Sequence, residues 1–284
     1  RSSNVVKIAF IGAFTDRKTA LVCPDLLGVM FGGGLLRRCV LINRSGSNTW
    51  LSRLAIVLGV IVSPLGFTDN SLTVEEVNDG WELLFNGKDM DQWRNFKKPG
   101  LSPKWIVENG TMKLSGPGGG DVLTKKSYTN FDLRLEWKIS IGGNSGIFIL
   151  VDETGDKVYS HAPEIQILDN ERHSDNKIDS HRSGSLYDMV ASHPSSHKPA
   201  GEWNQVRIVF HDRFLRVWQN GVMTVTISLD STTWESLLAD SKFGHPFYSL
   251  FGDWEGFAEA DYGHIGLQDH GDPVAFKNIK IRQL

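Results

Sequence analysis

Glu164 and Gln166 stand one residue apart in the stretch Glu164-Ile165-Gln166-Ile167-Leu168-Asp169-Asn170. Side chains of an extended strand alternate between faces, so this spacing puts both polar groups on one surface and Ile165 and Ile167 on the other. The isoleucines seek a core. The carboxylate accepts hydrogen bonds and protons, and the amide both donates and accepts, a pairing suited to the hydroxyls of a sugar. Asp169 and Asn170 then leave the strand and open a polar loop that runs from Glu171 to Arg182. An ordinary half-buried strand with a solvated outer face has the same pattern, so the residues that accompany it carry the weight.

Those companions are polar and aromatic. Gln268 and His270 fall on the same side of a strand end, although a histidine before Gly271-Asp272-Pro273 could equally satisfy a turn carbonyl. Asn144, in Gly143-Asn144-Ser145-Gly146, adds a further hydroxyl partner. His173 and His181, with Asp169, Asp175 and Asp179, make a loop dense enough to hold a divalent cation, but the spacings match no defined metal motif. A solvated loop is the favoured reading there, and no cofactor is expected. Tyr187, Trp203 and Trp254 have rings that could stack on sugars, although tryptophan in a sandwich usually belongs to the core. Trp203 begins an alternating strand and reads as core. Trp254 sits in the polar run Gly252-Asp253-Trp254-Glu255-Gly256 and is the better platform.

The elements that must position these groups are strands. Phe131, Leu133, Leu135, Trp137 and Ile139 alternate with Asp132, Arg134, Glu136 and Lys138, the mark of an antiparallel strand with one wet face. Val206, Ile208 and Phe210 alternate in the same way. Asn109-Gly110 and Asn220-Gly221 predict tight hairpins, because both residue types tolerate positive φ. Gly142 to Gly146 reads as a turn before a strand from Ile147 to Val151. Gly116 to Gly120 is not a phosphate cradle, since no Gly-Lys-Ser/Thr ending follows it. One helix is predicted near Thr232, with Thr232 as N-cap and Glu235 completing a capping box. Many strands, one short helix and no recurring period imply two packed antiparallel sheets in one domain.

Composition narrows the partners. Residues 1–67 carry eight Lys/Arg and two Asp/Glu, which leaves 22 basic and 31 acidic side chains in 68–284, a net of −9. So acidic a body disfavours nucleic acid and anionic membranes. Both cysteines, Cys23 and Cys39, precede it, so it has no disulfide framework and no thiol nucleophile. Upstream, Arg53 introduces the apolar run Leu54–Val62, with Arg37, Arg38 and Arg44 before it. This matches an export signal and is short of the roughly 20 residues a membrane span needs. An uncleaved anchor is the alternative. Met30 reads as the true initiator, which makes 1–29 an over-extended gene start. The expected organisation is a signal and extended N-terminus at 1–67, a linker at 68–78 and a sandwich domain at 79–284, exported to the periplasm or medium.

Six ordered stretches carry a family resemblance. They are Trp81 to Asp89, Gly143 to Phe148, Glu164 to Asn170, Gly184 to Tyr187, Lys198 to Asn204, and Gly266 to Gly271. Each is weak alone, but as an ordered set from about residue 79 onward they resemble the 3-keto-disaccharide hydrolases. The resemblance implies an all-β, concanavalin A-like jelly-roll sandwich whose concave sheet binds sugar. Against the more distant glucanases of this architecture there is a departure. Where they alternate carboxylates on one strand face, this chain has Glu164, Gln166 and Leu168. The two-carboxylate route, with groups about 5–5.5 Å apart in retaining enzymes, lacks its second member unless Asp169 or Asp253 supplies it.

A 3-keto sugar changes the requirement. The carbonyl acidifies the C2 proton, so one base can start an elimination that expels the C1 substituent, after which water adds. The resemblance casts Glu164 as that base and His270 as acid or oxyanion donor, with Asn144, Gln166, Asp169, Tyr187, Trp254 and Gln268 binding substrate. The expected activity is cleavage of 3-keto-glycosides. The alternative is a lectin-like module that binds carbohydrate in the same groove without turnover.

Overall fold

The computed structural model describes residues 69–248 and 254–284, and upstream the backbone of two paired antiparallel strands, β1 (Thr19–Val22) and β2 (Val40–Asn43). The chain divides into two compact units, Arg1–Phe67 and Thr68–Leu284, at the point where the charge balance changes. The apolar run Leu54–Val62 and Asp253 lie outside the described residues. Among the described residues no helix is long and apolar enough to cross a membrane.

The larger unit begins with α1 (Val74–Asn78), β3 (Trp81–Leu83), β4 (Trp93–Asn95), β5 (Trp105–Glu108), β6 (Thr111–Leu114) and β7 (Val122–Thr124). Then come β8 (Phe131–Ile139), β9 (Asn144–Val151), β10 (Glu164–Leu168), β11 (Asn204–His211), β12 (Phe214–Gln219) and β13 (Val222–Ser228). It ends with α2 (Thr232–Asp240), β14 (His264–Leu267) and β15 (Val274–Gln283). Two antiparallel sheets result, the all-β sandwich expected. One has eight strands in the order β13-β12-β11-β8-β15-β6-β5, with β3 also on β15; the other has five in the order β10-β9-β14-β7-β4.

The alternation in β8 does what its pattern requires. Phe131, Leu133, Leu135, Trp137 and Ile139 are buried between the sheets, where they meet Ile147, Ile149, Ile165, Ile167, Ile265 and Leu267 of the smaller sheet. Each such side chain contributes about 1.5–3 kcal/mol on burial, so the smaller sheet is a stiff platform. Both Asn-Gly pairs close hairpins with left-handed φ values, 51° and 71° at Asn109-Gly110 and 50° and 81° at Asn220-Gly221.

Four local features differ from the sequence reading. Strand β9 starts at Asn144, so Gly146 lies within the ladder opposite Gln166 and not in the preceding turn. Helix α2 is capped by Ser231, one residue before the expected Thr232. Its hydroxyl accepts from the Trp234 N–H at 3.1 Å and donates to the Ser228 carbonyl at 2.7 Å, which fixes it at the cap. The stretch 68–78 carries α1, with a reciprocal capping box between Thr73 and Glu76. It is fastened to β15 through Asn70 with Asn278, Asp69 with Lys277, and Glu76 with Lys280. Trp203 is half-buried between Lys138 and Lys277, 4.8 and 4.9 Å from its ring, because it precedes β11 and misses the core row.

Candidate functional site

The outer face of the five-stranded sheet carries its side chains in rows. Glu164 pairs with Phe148, Phe148 with Gly266, and Gly266 with Leu123. The next row holds Gln166 opposite Gly146, with the Gln268 N–H donating to the Gly146 carbonyl at 3.0 Å. Asp121 extends that row, since its Oδ1 accepts from the Asp269 N–H at 2.9 Å. At the Phe148 end, Leu123, Val151, Val158 and Ala162 pack around the ring and close the face. Glu164 leans along the sheet: a Cβ added to Gly146 would sit 2.1 Å from Glu164 Oε1. That residue is glycine because the carboxylate lies over it.

Glu164 is only 8% exposed, and its carboxylate has no hydrogen-bond or ion-pair partner among the described residues. Burial pushes its pKa up to about 8; Lys242 pulls it back, Asp121 and Asp175 add to the rise, and His181 opposes it. Asp121, half-buried at the start of β7, is also pushed up by burial, to about 6, against the pull of the Asp269 N–H. A carboxyl held this high is a proton acceptor poised near neutral pH.

A closed set of contacts lies beside it. Tyr187 is tied to β10 by its N–H, which donates to the Glu164 carbonyl at 2.9 Å. Its hydroxyl donates to Asp175 Oδ2 at 3.3 Å, and its ring stacks on His181 at 4.2 Å. The two nitrogens of His181 face Asp175 at 2.8 Å and Asp188 at 2.9 Å. Burial lowers the His181 pKa, but hydrogen bonds to Asp188 and Asp175 outweigh it and the net shift is upward. Asp188 Oδ2 accepts the Lys242 N–H at 2.7 Å, and Lys242 Nζ returns to the Tyr187 ring at 4.2 Å.

The other residues singled out from sequence divide by place. Gln166 is fully buried and its Oε1 accepts the Ile167 N–H at 3.1 Å. Asn144 and Gln268 share the outer face, each with a buried carbonyl oxygen that has no partner among the described residues. Asp169, at the far end of β10, is committed to loop geometry. It accepts from the Gly142 N–H at 2.7 Å and the Glu171 N–H at 3.1 Å, bonds that outweigh burial and lower its pKa. His270 is exposed at that same end, its ring 6.3 Å from His173. Trp254 packs edge-on to Phe243 at 5.2 Å and lies 6.0 Å from Tyr159, a surface ring. His173 Nδ1 is engaged by the Asp175 N–H, and His181 by two aspartates. Among the described residues no group of three or more His, Cys, Asp or Glu side chains is arranged to hold a metal ion.

Sequence reasoning missed Lys242, Asp121 and Asp188. Lys242 is one lysine after a helix, and no motif marks it. Asp121 ends the glycine-rich stretch, where its carboxylate had a signal only in its position before an apolar strand.

Comparison with known proteins gives a consistent result. The family described as the 3-keto-alpha-glucoside-1,2-lyase-like domain matches residues 80–282. A Bacteroides thetaiotaomicron VPI-5482 protein named 3-keto-disaccharide hydrolase is 36% identical over 240 residues, 76% of this chain and 82% of that one. A crystal structure from Parabacteroides distasonis ATCC 8503, of a protein provisionally named a glycosyl hydrolase, superposes with a TM-score of 0.67 at 31% identity, covering 76% of this chain and 100% of that one. A second from the same organism, with the same provisional name, gives 0.57 at 28% identity, over 72% and 99%. The chain belongs to the 3-keto-alpha-glucoside-1,2-lyase-like domain family.

Proposed function

We propose that this protein is an exported hydrolase that cleaves 3-keto-glycosides, 3-keto-disaccharides among them, by elimination followed by hydration. The observation that carries this reading is a single one: Glu164 is buried, its carboxyl without a partner among the described residues and pushed up to about 8, with no second carboxylate on its strand face. Direct glycoside hydrolysis needs two carboxyl groups across the scissile bond. Elimination next to a carbonyl needs one base. Glu164 takes the C2 proton, and the electron pair moves to the C3 oxygen. The enolate then collapses to a C1=C2 double bond while the C1–O bond breaks. His270 is assigned to protonate the departing oxygen. Water adds at C1 and a proton returns to C2, which gives the free 3-keto sugar. Gln166, Asn144 and Gln268 hold hydroxyls, and the unpaired carbonyl oxygens of the last two suit hydroxyl donors. A lectin would have no use for a carboxyl raised this far.

Incubation with 4-nitrophenyl 3-keto-α-glucoside in D2O tests the reading. Expected are nitrophenol release and a 3-keto sugar deuterated at C2. Release without deuterium would mean direct displacement, and no release would sink the hydrolase reading. Export rests on the Arg-flanked run Leu54–Val62. N-terminal sequencing of protein recovered from envelope or medium is expected to find that run removed; a mature chain that retains it is an anchored one.

A further inference from the structure

Lys242 occupies the turn that follows α2, and that turn is fixed. Ser241 ends the helix, its hydroxyl donating to the Leu238 carbonyl at 2.8 Å and accepting the Phe243 N–H at 3.2 Å. A Cβ on Gly244 would meet the Leu238 carbonyl oxygen at 2.3 Å, so only glycine lets the chain pass so close to the helix end. The Lys242 N–H is held by Asp188. Its ammonium then lies over aromatic faces, 4.2 Å from the centroid of Tyr187, 5.0 Å from Phe243 and 5.8 Å from Trp254.

The ammonium makes no hydrogen bond and no ion pair within 4.0 Å among the described residues. Three carboxylates act on it electrostatically: Glu164, Asp188 and Asp175. Asp188 and Asp175 are already engaged by His181. The Glu164 carboxylate is engaged by none of the described residues. An unpaired cation and an unpaired carboxylate therefore act on each other electrostatically without closing into a pair. Their anchors explain the gap, since Glu164 is laid over Gly146 and Lys242 is held on ring faces. Two buried opposite charges normally collapse into a hydrogen-bonded pair, so a gap kept open between them suits a ligand group.

We propose that the Lys242 ammonium stabilises the enolate oxygen at C3 of the substrate, opposite Glu164 at the C2 proton. The assignment rests on the elimination reading above. As the C2–H bond breaks, the proton goes to Glu164, the C2=C3 bond forms, and the negative charge passes from the carboxylate to the C3 oxygen. The ammonium faces negative charge throughout, and its interaction strengthens as that charge reaches the oxygen next to it. Burial lowers the lysine's pKa, opposed by Glu164, Asp188 and Asp175, and a more acidic ammonium is a stronger donor to an oxyanion. When the enolate expels the C1 substituent, the C3 carbonyl re-forms and no net proton has left the lysine.

The test compares Lys242→Met and Lys242→Arg with wild type, on 4-nitrophenyl 3-keto-α-glucoside and on a 3-keto-disaccharide. In Lys242→Met, exchange of the C2 proton into D2O and cleavage should fall together by ~10²–10³-fold, as for loss of an oxyanion donor. The factor should be the same for both leaving groups. Lys242→Arg should recover part of the rate. The acid limb of the residual Lys242→Met activity should move to higher pH, because Glu164 loses the cation that holds its pKa down. The melting temperature should change little, since methionine keeps an apolar stem against the rings and the Lys242 N–H keeps its bond to Asp188. C2 exchange at the wild-type rate in Lys242→Met overturns the proposal, as does a defect confined to the poorer leaving group, which would make Lys242 the acid at C1. If wild type itself neither exchanges nor cleaves, the elimination reading fails and the assignment falls with it.

Discussion

Each sheet of the sandwich buries an acidic side chain on its outer face, and the two are treated in opposite ways. Asp132, on the eight-stranded sheet, is surrounded by cations. Arg207 donates to both its oxygens at 3.0 and 2.8 Å, Arg134 approaches at 3.3 Å and Arg282 at 3.8 Å. Arg134 and Arg282 in turn stack on Trp81, at 4.3 and 5.3 Å. Glu164, on the five-stranded sheet, has no partner among the described residues, and its strongest electrostatic ally, Lys242, is kept beyond ion-pair distance. A carboxylate that serves the fold is neutralised where it is buried. One that is left uncompensated costs stability and gains basicity, and that combination marks chemistry.

Exchanging the two acids for their amides should separate these roles. Glu164→Gln keeps size and removes the proton acceptor, so kcat should fall by at least ~10²-fold with ground-state binding little changed. Folding stability at pH 8 should hold or rise. Asp132→Asn should do the reverse. It leaves arginines facing an amide, and because they are about 40% exposed at Arg134 and Arg207, solvent offsets part of the usual penalty. A loss of about 2 kcal/mol in denaturant unfolding is expected, with activity per folded molecule intact. Paired kinetics and unfolding on the two variants decide it; an active Glu164→Gln enzyme would shift suspicion to His270.

Gly146→Ala attacks the same contrast without touching an ionisable group. The new methyl would occupy the place of Glu164 Oε1, so the carboxylate must swing away. Turnover should drop by about 10-fold and stability by roughly 1–2 kcal/mol, since the methyl would also meet Glu164 Cδ at 2.7 Å and Cγ at 2.8 Å and the whole side chain must shift. A fully active Gly146→Ala protein would mean that the observed pose of Glu164 is not the reactive one.

The pH dependence sharpens the comparison further. The folded-state pKa of Glu164, about 8, lies above the ordinary value of 4.5, so the folded state holds this proton more tightly than the unfolded chain. The stability this brings is complete below about pH 4.5 and is lost as the pH rises through about 8. Wild type should therefore lose stability relative to Glu164→Gln across that window, while kcat/KM climbs on a limb centred near 8. His181 is shared by both proteins and cancels from the difference. Parallel unfolding curves at every pH would show that Glu164 titrates normally.

Much of the architecture was legible because local chemistry dictates it. The alternation of β8 and the two Asn-Gly turns need nothing beyond their own residues. Placing Glu164 and Gln166 on one face follows from a period of two. The surroundings of Glu164 were hidden for a physical reason: Asp121, the Asp175–His181–Asp188 set and Lys242 come from three separate excursions, and only the packed sandwich brings them together. Gly146 was read as part of a turn, and its purpose depends on a side chain from the neighbouring strand. Ser231 displaced Thr232 at the helix cap because a second hydrogen bond, to Ser228, decided between adjacent candidates.

The smallest effect concerns how the compensation at Asp132 is shared. Arg207 meets the carboxylate with a two-pronged contact, which fits a guanidinium's geometry and is the stronger kind of ion pair. Arg282 stays 3.8 Å away and is 31% exposed, with its Nε buried and unpaired. Its positive charge helps, but its placement already costs a desolvated donor. Arg282→Met keeps the apolar stem over Trp81 and removes that donor, so the net change should be within about 0.5 kcal/mol, whereas Arg207→Met should cost about 1–2 kcal/mol. Raising the salt concentration should shrink the Arg207 effect only partly, because the acceptor is 1% exposed. If Arg282→Met proves as damaging as Arg207→Met, the three arginines act as one network, and the contrast with Glu164 is between a shared neutralisation and none at all.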